Sequence, residues 1–349
     1  MIEKQKFATA PQAQEALTLV QDLQNYFVEK LNTVSKLYGA DKAYLAVSWL
    51  RDEGLHGGGT RYVAQDETLF NRASVNVSQV HYEEDESKKL DSATAISTII
   101  HPLHPNVPSM HMHISWTQMK GGSGYWRIMA DLNPSIEDTN ATQEFSKSLE
   151  ALAGEYYQEA KEQGDKYFFI PALKRHRGVS HFYLEQFSTG DAKADKQFAW
   201  DFGKGVIDSY ITIISQALEQ KLPLTEDSKA QQLDYHTLYL FQVLTLDRGT
   251  TSGLLIHDQN DVGIMGSIPK FINKELLLSW KDLVSKPQDS LVQSIVNCLP
   301  KTTPSLVDDE VKAKLAQVVR LHYQKHPQAL SMQASGHTIP DTVDNHIKG

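Results

Sequence analysis

Residues 101–131 read HPLHPNVPSMHMHISWTQMKGGSGYWRIMAD, and the period of this stretch decides the fold. From Ser109 to Trp116 polar and apolar residues alternate strictly, which is the mark of a half-buried strand. Ser109, His111, His113 and Ser115 point one way; Met110, Met112, Ile114 and Trp116 point the other. A glycine turn and a second strand ending at Asp131 follow. Four of the chain's 14 histidines fall between His101 and His113. Imidazole changes charge near neutral pH and can donate, accept or ligate. The stretch therefore predicts one wall of a polar pocket with an apolar core behind it.

Outward from this hairpin, strand-like segments run at 43–50, 60–64, 74–82, 95–101, 109–117 and 124–131, without regular crossover helices. Helical spacing marks 12–38, 142–164 and 196–220. The segment YFFIPALKRHRGVSHFYLEQF (167–187) reads as a strand, a basic loop and another strand. HTLYLFQVLTLDRGT (236–250) predicts a nearly continuous apolar strand at 237–246 that ends in Asp247. Strands at 253–257 and 262–268, a helix near 271–284 and a mostly helical tail complete the chain, with residues 335–349 read as frayed. The predicted class is α+β: a large, mainly antiparallel sheet flanked by helices on both faces, a single domain at 1–284 and a helical extension at 285–349.

The chain has 349 residues, enough for a full core, and mean hydropathy is −0.40. Net charge is −9 from 34 basic and 43 acidic residues, which argues against nucleic acid or an anionic membrane as partner. No apolar run reaches membrane-span length, and residues 1–16 lack the apolar segment of a secretory signal. The lone Cys298 excludes an intrachain disulfide, suits a reducing cytoplasm and reads as a packing thiol.

Four motifs carry possible chemistry. Gly57-Gly58-Gly59 lacks the pattern of a phosphate loop and reads as a close approach of backbones. His111 and His113 share a strand face, which suits metal ligation or acid–base work; no HExxH motif or thiolate accompanies them. Asp247, closing ten apolar residues, is either the partner of Arg248 or an acceptor for a ligand N–H. Lys174-Arg175-His176-Arg177 is a solvated turn or an anion-binding loop.

Several segments together resemble the oxygen-dependent coproporphyrinogen-III oxidases. They are GGGTRYVAQDETLFNRASVNVSQV (57–80), STIIHPLHPNVPSMHMHISW (97–116), YWRIMADLNP (125–134), YFFI…RGV and LDRGTTSGLL…GSIP, in register from about 45 to 280. The resemblance implies a homodimer with no organic cofactor or redox metal, in which O2 is co-substrate and two propionates of a porphyrinogen become vinyls with release of CO2. It implies an acid/base role for His111, pyrrole N–H binding by Asp247, and substrate contacts from Ser97, His113, Ser115, Asp131, Arg177 and Arg248. His101 and His111 are the metal-ligand candidates, the other two histidines proposed as ligands in the family being absent. The chain also departs from the family pattern where His113-Ile114-Ser115 replaces Asn-x-Arg, Ala172-Leu173 replaces His-Arg, and His257-Asp258-Gln259 replaces Gly-Gly-Arg. With these arginines gone, a tetrapyrrole-binding protein without turnover and a cofactor-free oxidase of another pyrrolic compound stand as rival readings.

Overall fold

Strands β1 (Leu45–Leu50), β2 (Gly57–Val63), β3 (Phe70–His81), β4 (Leu90–Pro102), β5 (Ser109–Met119) and β6 (Gly124–Asn133) meander through consecutive hairpins. After a two-residue hairpin, β7 (Phe169–Ile170) with β8 (Arg175–His176), strand β9 (Val179–Phe187) joins the edge beside β6. The sheet order is β1-β2-β3-β4-β5-β6-β9 and every pairing is antiparallel. This computed structural model describes residues 5–339 except 66 and 123; of the frayed end expected at 335–349, residues 340–349 lie outside the described residues.

Period two divides the sheet into two faces. Val75, Val77, Ile96, Met110, Met112, Ile114 and Ile128 are buried on one face, against α1 (Pro11–Leu37) and α4 (Ala192–Glu219). Leu23, Phe27, Phe202 and Tyr210 are the knobs from those helices, and α2 (Thr139–Ala153) completes the layer through Phe145 and Leu149. The helical region read at 142–164 is in fact α2 and α3 (Tyr157–Phe168), broken at Gly154, whose φ is +53°.

The other face meets a second core, and here the sequence reading needs correction. Residues 237–246 do not form a strand: they belong to α5 (Glu226–Thr245). Its start is a capping box in which Thr225 and Ser228 exchange side-chain-to-backbone hydrogen bonds, each 3.1 Å. Every residue from Tyr235 to Thr245 is buried, so this half of the helix is covered on all sides and its 3.6-residue period is erased. The expected strands at 253–257 and 262–268 are likewise α6 (Arg248–Ile256), α7 (Asp261–Ile264) and a 3-10 turn, and near 271–284 lies α8 (Lys274–Ser279). Two further helices, α9 (Gln288–Cys298) and α10 (Asp309–Lys325), share one core with α5 through Leu291, Ile295, Leu315 and Val319. Helices therefore cover both faces.

The glycine cluster lies within β2. A Cβ on Gly57 (φ +96°) would sit 2.1 Å from the Gln79 carbonyl, and one on Gly59 would sit 2.3 Å from the Val77 carbonyl and 2.8 Å from the Trp49 indole nitrogen. These glycines let the neighbouring chains close and let Trp49 lie across the strand.

Candidate active site

The sheet face opposite α1 is the floor of a cleft of about 310 Å³. Cross-strand pairing sets its rows. Ser74, Ile99, His111 and Asp131 align in one; Asn76, Ser97, His113 and Met129 in the next; Ser78, Ala95, Ser115 and Arg127 in the third. Five of these twelve side chains are Ser or Ala, which leaves room on the floor between His111, His113 and Arg127. Over the floor stand Tyr167 from α3, Tyr239 and Val243 from α5, and the turn at Asp247 that opens α6. The Asn76 amide oxygen and the Trp49 indole N–H, both lining the cleft, are buried without a partner among the described residues. A polar ligand or water is what such groups require.

His111 is held from behind. Its Nδ1 lies 2.8 Å from Asp131 Oδ1, and Asp131, fully buried, also receives Arg177 Nη2 at 2.9 and 2.8 Å and Asn133 Nδ2 at 2.6 Å. Burial alone would raise the Asp131 carboxyl, but the Arg177 guanidinium and then His111 overcome it and hold the group well below the usual carboxylate range. An ionised carboxylate only accepts, so Nδ1 of His111 carries the proton it donates, and in the neutral ring the lone pair lies on Nε2. Arg177 donates further to Gln242 Oε1 at 2.8 Å and lies between the rings of Phe168 and Tyr239, at 4.5 and 5.0 Å.

Asp247 arrives from the other side. It is the N-cap of α6, its Oδ2 accepting the Thr250 N–H at 2.7 Å and its Oδ1 accepting the Tyr167 hydroxyl at 2.7 Å. Burial pushes this carboxyl up, and the Thr250 and Tyr167 hydrogen bonds more than reverse it. Each oxygen retains a lone pair for a further donor. The turn is braced by the chain beyond α9: Ala334 N–H donates to the Leu246 carbonyl at 2.9 Å, and Arg320 Nε donates to the Leu254 carbonyl at 2.7 Å.

The structure thus brings His111, His113, Ser97, Ser115 and Asp247 into one cleft. Three expected substrate contacts are placed differently. Asp131, fully buried, spends its charge on Arg177 and His111 and lies behind the cleft; Arg177 lines the cleft with its guanidinium engaged by Asp131. Arg248 does not pair with Asp247; its Nε donates to the Ala334 carbonyl at 2.9 Å, outside the cleft lining. Burial, then Arg127 and His111, pushes the His113 imidazole down to about 3, so it faces the cleft neutral, its Nε2 3.0 Å from Ser115 Oγ.

His101 is fully buried with both ring nitrogens engaged, by Ser109 Oγ at 2.9 Å and the Ser267 carbonyl at 3.2 Å. With His101 so committed, it and His111 do not offer a metal-ligand set. Sequence reading missed Arg127, whose Nε donates to Glu185 at 2.7 Å, although Tyr125, Arg127, Met129 and Asp131 alternate as plainly as the histidines do. It also missed Tyr167, Asn76 and Trp49, which carry no local signature.

Residues 15–299 match the family described as coproporphyrinogen III oxidase. A curated oxygen-dependent coproporphyrinogen-III oxidase of Rickettsia bellii (strain OSU 85-389) is 31% identical over 244 residues, covering 65% of this chain and 83% of its own. The enzyme of the same name from Rickettsia akari (strain Hartford) is 30% identical over the same shares.

Proposed function

Because the chain belongs to the coproporphyrinogen III oxidase family, we propose that the cleft floor receives a porphyrinogen macrocycle whose pyrrole N–H groups point to Asp247. The activity is the oxygen-dependent oxidation of coproporphyrinogen III in porphyrin biosynthesis. Each reacting propionate loses CO2 from its end and a hydrogen from the carbon beside the ring, while two electrons pass to O2. The single observation that carries the site assignment is a half-buried carboxylate, held below its ordinary range, standing over a polar sheet floor that carries His111. Asp247 accepts pyrrole N–H bonds and makes the ring more electron-rich. His111 Nε2, its lone pair maintained by the Asp131–Arg177 pair, takes the proton that leaves.

The carboxylates of the substrate need cations, and the arginine missing at Ser115 has a cationic neighbour, Arg127, whose charge is shared with buried Glu185. Arg127 stands directly opposite Ser115 on β6, on the same face. Arg61 pairs with Asn76 in the row of Ser97 and His113, but its side chain packs by Gly263 and Gly266, outside the cleft lining. His113, being neutral, contributes a hydrogen bond but no charge; Arg175 and His176 are exposed, away from the cleft lining. A homodimer and a cytoplasmic location complete the proposal. None of the described helices is long and apolar enough to cross a membrane.

The test is aerobic incubation with coproporphyrinogen III, following protoporphyrinogen and CO2, for the wild type and Asp247→Asn. Asn keeps the cap to Thr250, so the variant folds while kcat falls about a hundredfold or more. Wild-type kcat in Asp247→Asn removes the assignment.

A further inference from the structure

Outside the cleft, three ligand-bearing side chains converge: Asp165 near the end of α3, His176 on β8 and His181 on β9. One ligand atom of each lies within 4.8 Å of the other two. The hydrogen bonds around them dictate which nitrogens are available. His181 Nε2 is 2.9 Å from the Arg177 carbonyl, and His176 Nε2 is 3.0 Å from the Asp165 carbonyl. A carbonyl oxygen can only accept, so both Nε2 atoms carry protons, and in the neutral form of each ring the lone pair is on Nδ1. Backbone carbonyls that fix the far nitrogen in this way are the usual support of metal-ligating histidines.

A second feature points the same way. His181 Nδ1 is 2.8 Å from Asp165 Oδ1. With a neutral ring, two acceptors then face each other, and they require either a second ring proton or a shared cation. Aromatic packing fixes both rings in orientation. His181 packs on Phe168 at 5.1 Å, His176 on Phe169 at 5.2 Å, and the two imidazoles lie 5.1 Å apart. Lys161 Nζ, 2.7 Å from Asp165 Oδ2, is the competing cation and swings free because it is half exposed.

We propose that Asp165, His176 and His181 form a binding site for one divalent transition cation of the Zn2+ kind, with water completing the coordination on the exposed side of His176. Two imidazoles and one carboxylate suit Zn2+ rather than Mg2+, and a tetrahedral ion with about 2.1 Å bonds accepts three protein ligands and a water. The site is one peptide from Arg177, so its occupant fastens the segment behind the His111 relay.

Zn2+ titration of metal-stripped full-length protein, by calorimetry and by competition with a chromogenic chelator, tests this without reference to turnover. The expected result is one Zn2+ per chain, with affinity reduced about tenfold or more in His176→Ala and in Asp165→Asn. His176 is exposed, so its replacement leaves the fold intact. A hundredfold excess over the wild-type Kd raises the wild-type thermal midpoint by about 4 °C and that of His176→Ala by about 2 °C or less. Equal Zn2+ affinity in wild type and His176→Ala, or no binding by the wild type, overturns the proposal.

Discussion

Replacing Asp131 by Asn preserves the shape of the side chain and removes the charge that Arg177 and His111 share. Both charged partners are buried, Asp131 fully and Arg177 at 2% exposure, so the variant strands a guanidinium in the interior. Losing one partner of such a pair costs about 3–5 kcal/mol. Arg177 keeps Gln242 and the faces of Phe168 and Tyr239, which puts the cost near the lower end, about 3 kcal/mol. Unfolding entropy of about 2.1 cal/mol/K per residue makes that a fall of about 4 °C in Tm for a chain of this size. Chemical denaturation of wild type, Asp131→Asn, Arg177→Met and the double variant measures the coupling: the double variant loses clearly less than the sum of the singles. The Asn amide also donates to His111 Nδ1, moving the ring proton to Nε2, so kcat drops about a hundredfold for want of a base. Additive stabilities, or a single-variant cost below about 1 kcal/mol, would refute the reasoning.

Three further outcomes follow from the same geometry. Burial holds His101 well below its ordinary value and His113 and His236 at about 3, so all three are neutral when folded. Unfolded, they take up protons below about pH 6.5; stability therefore falls as pH drops from there towards 3, by up to about three protons' worth of slope, and a flat denaturation midpoint between pH 6 and 5 contradicts this. Arg61→Ala removes no group of the cleft lining, so KM for coproporphyrinogen stays within about twofold; a rise of about tenfold would bring Arg61 into the cleft. Gly57→Ala drives a methyl to 2.1 Å from the Gln79 carbonyl at a positive φ, so soluble yield and Tm fall sharply, whereas wild-type stability would show that β2 and β3 can part.

Much of the cleft was legible because a half-buried strand writes its two faces into alternate residues. His111, His113 and Ser115 were found that way, Ser97 came from the family resemblance, and Arg127 obeys the same rule one strand further on. Asp247 was also found, although for a reason that the structure replaces: it caps a helix rather than ending a strand. Arg248 was misplaced, and the Asp131 pairing of Arg177 went unread, because a basic residue in a loop reads the same whether it faces ligand, solvent or a buried carboxylate. The Asp165–His176–His181 group was not read at all, since its members come from three elements that only packing brings together.

By itself, then, the order of residues determined the antiparallel meander, its apolar back and its polar floor, because those depend on a period-two pattern within each strand. Only the tertiary structure decided that 237–246 is helical, that the Asp131–Arg177 pair serves His111, and that Arg127 stands beside Ser115. Burial on all sides erases the local period, and a charge takes its role from neighbours that are distant in sequence.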